Sequence, residues 1–172
     1  MVTVAASRDA AVWAALGEIP DPEIPAISLV DLGVIRGFAF ERSATGERLT
    51  VELLPTFVGC PAIEVMREQI GERLGARGLA DEVVVDLSFA EPWTSDRITP
   101  AGREALRASG FAPPPAVGSS FSGELLAVLP IATCPYCGSR NTTLENPFGP
   151  TLCRSIYHCA DCRQPFEAFK PV

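Results

Sequence analysis

The sequence predicts an α+β fold: a small α-β-β-α-β domain with a mixed three-stranded sheet, followed by a C-terminal β domain built on four cysteines. Three observations support this prediction. Apolar residues alternate over 49–55 and recur at helical spacing over 61–74. Two Cys-x-x-Cys pairs lie near the end of the chain. A segment rich in Pro, Gly and Ser separates the two patterns.

The first domain begins with a short amphipathic helix that is stopped by the Pro-rich run 19–25. Residues 34–41 and 49–55 have the composition and alternation of β-strands, and residues 43–47 between them contain a glycine. We therefore expect an antiparallel pair joined by a hairpin loop over 43–47.

A second helix is predicted after Pro61, because proline is favoured at the first helical position, and it ends near Gly75. Residues 82–89 form the third strand. A strand reached through a helix pairs most easily in parallel, through a right-handed crossover, so the sheet is expected to be mixed. Thr99 and Pro100 start a further short helix that Gly110 ends.

The predicted domain organisation has three parts. Residues 112–123 have the composition of a semi-rigid linker. The linker separates a first domain, residues 1–111, from a second domain, residues 124–172.

Charge and hydropathy exclude several classes of protein. The formal net charge is −7, and residues 1–133 hold ten basic and eighteen acidic residues. A chain that binds nucleic acid needs clustered cations, so we expect no nucleic-acid partner. No apolar run approaches the length that spans a bilayer, and the first residues lack the pattern of a secretory signal. The prediction is a cytoplasmic protein without a membrane partner, whose six cysteines are metal ligands or functional thiols.

The C-terminal cysteines have the spacing of a four-thiolate metal site. Cys134 and Cys137 form one knuckle, Cys159 and Cys162 form another, and 21 residues lie between the knuckles. Each knuckle supplies two corners of a tetrahedron. Because so short a segment buries little apolar surface, the metal is expected to contribute much of its folding free energy.

The identity of the ribbon metal stays open at this point. Zinc is the usual occupant of a closed four-thiolate site, and the same ligands can hold an iron–sulfur cluster. Cys153 is either a fifth ligand or a small buried hydrophobic residue. His158, the one histidine of the chain, is either an alternative ligand or a surface residue.

Cys60 is the one cysteine outside this C-terminal segment. It directly precedes Pro61, so it is predicted to lie at a helix N-terminus, where N–H groups and the helix dipole favour the thiolate. Cys60 is therefore the candidate functional thiol, and the alternative is a buried packing residue. The chain has no P-loop, dinucleotide-binding, nucleophile-elbow or zinc-protease motif, so a non-catalytic protein is expected.

Three segments carry a resemblance to a known family. Residues 21–33, residues 55–62 around the Gly-Cys-Pro motif, and Glu-Pro-Trp-Thr-Ser-Asp at 91–96 together resemble the SufT-like family of iron–sulfur assembly factors. With the four-cysteine ribbon appended, the chain is similar to the PaaD-type proteins of bacterial phenylacetate catabolism.

The resemblance implies roles for individual residues. Cys60 matches the motif cysteine, Asp21 and Glu23 match the acidic loop, and Thr94 and Asp96 match the Trp-Thr-x-Asp turn. Acidic residues near Pro-rich turns also serve as turn and capping groups, which is the alternative for all four supporting positions.

The resemblance also implies a function. It points to a non-catalytic factor that matures the iron–sulfur or di-iron centres of the multicomponent phenylacetyl-CoA epoxidase, with the epoxidase subunits or iron–sulfur assembly proteins as partners. The second hypothesis is a structural accessory subunit of the epoxidase. The third, a thiol-dependent enzyme, lacks an evident base to act on Cys60.

Overall fold

The computed structural model describes residues 2–44, 46–57, 59–115 and 131–171. The chain forms two compact units, divided between Trp93 and Thr94. The elements of the first unit are α1 (Val2–Gly17), α2 (Leu29–Leu32), β1 (Ile35–Ser43), β2 (Gly46–Leu53), α3 (Ala62–Ala76) and β3 (Glu82–Leu87).

The sheet of the first unit has the predicted topology. Its order is β1-β2-β3, with β1 and β2 antiparallel and β2 and β3 parallel. Ser43 pairs with Gly46, so the hairpin loop is shorter than the predicted 43–47. Leu49, Val51 and Leu53 are fully buried, as their alternation along β2 predicts. The predicted α+β class with a mixed three-stranded sheet is confirmed.

Helix α3 provides the crossover between the two parallel strands. Its buried residues Met66, Ile70 and Leu74 follow the helical spacing, and α3 packs against both β3 and α1. Each such side chain, once fully buried, contributes roughly 1.5–3 kcal/mol relative to exposure. The loop that precedes α3 is therefore attached to a rigid element, and that loop carries Cys60.

Helix α2 is one element that the sequence analysis missed. Ser28 caps it, because its Oγ accepts a hydrogen bond from the Asp31 N–H at 3.0 Å. Gly33 ends the helix in the left-handed conformation, with φ of 74°. The signal was present in the sequence as Ser-x-x-Asp followed by Gly, but four residues are too few for periodicity to detect.

The second unit contains a short 3₁₀ helix (Ser95–Arg97), α4 (Pro100–Ala108), β4 (Phe111–Ala112), β5 (Thr142–Asn146), β6 (Arg154–Cys159) and β7 (Pro165–Phe169). Helix α4 begins as predicted, with the Thr99 hydroxyl accepting from the Gly102 N–H at 3.0 Å. The strands form one sheet in the order β4-β7-β6-β5. Its core contains Tyr157, Phe166 and the ligand cysteines Cys134 and Cys159.

The observed units differ from the predicted division at 111/112. Phe111 and Ala112 pair in parallel with β7, so strand β4 extends the ribbon sheet. The Arg103 guanidinium donates to the Ser95 carbonyl at 2.6 Å and to the Pro114 carbonyl, which holds 94–115 together. This segment packs with the ribbon because β4 satisfies its backbone hydrogen bonds there. Residues 116–123 of the predicted linker lie outside the described residues.

The helices are too short or too polar to insert into a bilayer. Among the described residues, no helix has both the length and the apolar character needed to cross a membrane.

Candidate functional site

The three motif segments of the first unit meet at one end of its sheet. Parallel strands β2 and β3 both end there, and β1 begins there. Leu54, just after β2, donates its N–H to the Val34 carbonyl at 2.7 Å, and Ser88, just after β3, donates to the Leu53 carbonyl at 2.9 Å. The loop with Cys60 and the loop with Glu91 therefore leave the sheet side by side. We call this end of the first unit the Cys60 site.

Asp21 organises the acidic loop of the Cys60 site. Its side chain is 4% exposed, and Oδ1 accepts hydrogen bonds from the N–H groups of Glu23 at 2.9 Å and Ile24 at 2.7 Å. This is the geometry of an Asx turn, in which a carboxylate replaces a backbone acceptor. Oδ1 of Asp21 thus has a structural role, the alternative that the sequence left open.

Trp93 connects the third motif to the first. Its indole Nε1 donates to the Leu32 carbonyl at 3.1 Å, and the ring is 2% exposed. Thr94 and Asp96 follow directly but belong to the second unit, where Thr94 precedes the 3₁₀ helix and Asp96 lies within it. The supporting role predicted for these two residues therefore stays a prediction.

Cys60 lies just before α3, as predicted, and is half-buried. Its electrostatic environment is not the one predicted. Desolvation by burial raises the pKa of the Cys60 thiol, and the negative charges of Glu23 and Asp21 raise this pKa further. The hydrogen bond from the Ala62 backbone lowers the pKa, as a helix N-terminus should, but by less. The thiolate prediction was wrong because helix position alone does not reveal burial or neighbouring carboxylates.

This pKa makes a measurable prediction. At neutral pH, iodoacetamide should alkylate Cys60 more slowly than a free cysteine peptide, since the raised pKa leaves less thiolate. Glu23→Gln should accelerate the reaction, because removing the carboxylate charge lowers the thiol pKa. Glu41→Gln, an exposed residue near the opposite end of β1, is the matched control and should change nothing. Peptide mass spectrometry across pH 6–10 would measure the rate; a Cys60 that reacts faster than the free peptide would contradict the assignment.

The ribbon cysteines form the metal centre of the second unit. The Sγ atoms of Cys134, Cys137, Cys159 and Cys162 all lie within 4.8 Å of one another, and they are the one group of at least three such ligands among the described residues. Cys134 and Cys162 are 3.6 Å apart between sulfurs, as are Cys137 and Cys159. A tetrahedral ion with metal–sulfur bonds of about 2.3 Å requires sulfurs roughly 3.8 Å apart, so the site fits.

The two knuckles share one backbone design. Gly138 donates its N–H to the Cys134 carbonyl, and Arg163 donates to the Cys159 carbonyl, both at 2.9 Å. Gly138 has φ of 75° and Arg163 has φ of 60°, the left-handed conformation in which each turn closes. The backbone N–H of Cys162 helps to lower the pKa of Cys159 to about 7. A backbone that stabilises sulfur charge in this way favours a bound cation.

Cys153 and His158 do not belong to this ligand group. The Cys153 Sγ is 3.1 Å from the Thr151 Oγ1, in the loop before β6. His158 lies on β6, paired with Thr143 on one side and Pro165 on the other. The Cys60 site likewise forms no such cluster with Asp21 and Glu23 among the described residues.

Comparison with known proteins follows the same division of the chain. Residues 9–89 match the family model "Iron-sulfur cluster assembly protein", and residues 121–170 match "PaaD zinc beta ribbon domain". A protein of Escherichia coli (strain K12), named as a subunit of 1,2-phenylacetyl-CoA epoxidase, is 39% identical over 172 residues, which are 100% of this chain and 98% of the relative. The chain belongs to the PaaD family.

Solved structures support the fold of this PaaD-family chain. A domain of unknown function, DUF59, from Bacillus anthracis matches with a TM-score of 0.50 and 20% identity, covering 59% of this chain and 92% of that one. This likeness shows the fold. Rv1466 from Mycobacterium tuberculosis, described as "a protein associated with [Fe-S] complex assembly and repair", is 34% identical, with a TM-score of 0.38, over 59% of this chain and 85% of that one.

Proposed function

We propose that this PaaD-family chain is a non-catalytic, cytoplasmic factor that matures the iron–sulfur or di-iron centres of a multicomponent phenylacetyl-CoA epoxidase. The observation that carries the proposal is the half-buried Cys60 thiol, held at the end of a rigid sheet and within the field of two carboxylates. The matched assembly-protein family over 9–89 and the epoxidase subunit among the relatives support the same role.

Cys60 acts in this proposal as a transient holder of the metal cargo. Its raised pKa keeps the empty thiol protonated at neutral pH. When iron or a cluster arrives, the sulfur–hydrogen bond is replaced by a sulfur–metal bond and the proton leaves to solvent. Among the described residues no converging ligand set surrounds this thiol. Because a single thiol holds a metal weakly, the cargo can pass on to a client.

The ribbon serves a second purpose. Its four-thiolate set has no open position for substrate, which is typical of structural zinc, and we propose zinc as its metal. When bound, the ion supplies charge and cross-linking that hold the two knuckles together. The ribbon then acts as a docking module for epoxidase subunits or iron–sulfur assembly proteins.

A second candidate function is a permanent structural subunit of the epoxidase. The name of the Escherichia coli relative favours it, since that name describes a subunit. The two functions differ in stoichiometry. A permanent subunit co-purifies with the epoxidase in a fixed ratio, whereas a maturation factor leaves its client.

Deleting this chain from a host that makes the epoxidase tests the proposal. We expect the remaining epoxidase subunits to accumulate and assemble, but to lack most of their iron and their activity. Adding ferrous iron and sulfide to the purified complex should restore part of that activity. A complex that retains its iron but dissociates would instead support the structural subunit, and a complex unaffected in both respects would refute both functions.

A further inference from the structure

Hydrogen bonds between side chains join the two knuckles of the ribbon. Asp161 lies between Cys159 and Cys162, and its carboxylate faces the residues that follow the first knuckle. Its Oδ2 accepts from the Ser139 Oγ at 2.5 Å, and its Oδ1 accepts from the Asn141 Nδ2 at 2.8 Å. One carboxylate of the second knuckle is thus bound by two side chains attached to the first.

Backbone hydrogen bonds hold the two donors in place. The Asn141 N–H donates to the Ser139 Oγ at 2.9 Å, and the Ala160 N–H donates to the Asn141 carbonyl at 2.9 Å. The Cys134 N–H donates to the Ser139 carbonyl, also at 2.9 Å. This network therefore reaches from the backbone of one ligand cysteine to the turn that carries two others.

We propose that Ser139, Asn141 and Asp161 are positioning residues, an inter-knuckle clamp that sets the separation of the two cysteine pairs before the metal binds. A purely structural surface contact would stabilise the fold without changing the metal geometry. The clamp differs because both of its ends are turns that carry ligands. None of its three side chains belongs to the ligand group.

The need for such a clamp follows from the chemistry of the ligands. Four thiols that lose protons repel one another, and the 21 residues between the knuckles leave each turn free to move away. Outer-shell hydrogen bonds that orient ligands typically change metal affinity by about 10–100-fold. Because Asp161 is exposed to water, we expect an effect near the lower limit, about 10-fold.

Chelator competition on the full chain loaded with zinc tests the clamp. Asp161→Ala should lower zinc affinity about 10-fold. Glu145→Ala is the matched control, because it removes an exposed carboxylate of the same sheet outside the clamp, and it should leave the affinity unchanged. Equal affinities for Asp161→Ala and Glu145→Ala would overturn the proposal.

The visible spectrum of the cobalt-substituted chain separates positioning from stability. The d–d bands of Co²⁺ report the tetrahedral geometry, so Asp161→Ala should shift or weaken them while Glu145→Ala should not. Ser139→Thr keeps the hydroxyl and should retain the wild-type spectrum, whereas Ser139→Ala should not. If Asp161→Ala does not fold, this serine pair decides the matter: identical spectra and affinities for Ser139→Thr and Ser139→Ala would refute the clamp.

Discussion

Replacing Cys162 with Ser is expected to release the ribbon metal and to unfold the second unit from residue 94 onward, while the first unit stays folded. Structural zinc contributes about 10–16 kcal/mol of binding free energy to a small domain, more than such a domain stores in its own core. Strand β4 pairs with β7, so the segment 94–115 should lose its structure together with the ribbon. From the sequence alone, this segment was expected to stay folded with the first domain.

Hydrogen exchange read out by mass spectrometry would locate the unfolded region. Protection should disappear from β4, β6 and β7 and remain in β2 and α3. Cys153→Ser is the matched control, since Cys153 lies outside the ligand group and should keep one metal per chain. Full metal content in the Cys162→Ser protein would show that Cys153 or His158 replaces a ligand, and loss of protection in both units would contradict the division at residue 93.

Replacing Cys60 with Ser is expected to abolish active epoxidase in the host while leaving the protein folded. The thiol is half-buried, and a serine hydroxyl of similar size can accept the hydrogen bond from the Ala62 backbone, so stability should change little. Serine binds iron far more weakly than a thiolate does, so transfer of the cargo should stop. Thermal unfolding and the epoxidase activity of the host measure the two effects separately.

A packing role for Cys60 gives a different pattern. A hydroxyl placed in an apolar site without a partner costs roughly 1–3 kcal/mol, and the epoxidase activity would then fall only in proportion to the protein lost. Cys153→Ser again serves as the control, because Cys153 is buried to a similar degree. A stable Cys60→Ser protein that supports full epoxidase activity would reject the thiol role and leave the first unit as a docking scaffold.

Elements with a local signal could be predicted well from the sequence. The alternation of Leu49, Val51 and Leu53 identified β2, and the spacing of Met66, Ile70 and Leu74 identified α3. The crossover rule then predicted the parallel pairing of β3. These predictions succeeded because burial on one face imposes a period that is visible along the chain.

The electrostatics of Cys60 could not be predicted in this way. The helix N-terminus is visible in the Cys-Pro sequence, and its effect is present through Ala62. The larger effects come from burial and from carboxylates that lie far earlier in the chain, at Asp21 and Glu23. The pKa of a thiol depends on everything packed around it, and the sequence shows only its chain neighbours.

The sequence by itself determined the four metal ligands, because two Cys-x-x-Cys turns carry their geometry within four residues each. Only the tertiary structure decided where the second unit begins and how its knuckles are joined. Phe111 pairs with Glu167, and Asp161 bonds to Ser139 and Asn141, across long stretches of chain. Such pairings leave no period in the sequence, since they depend on which strand edge or turn the fold brings opposite a given residue.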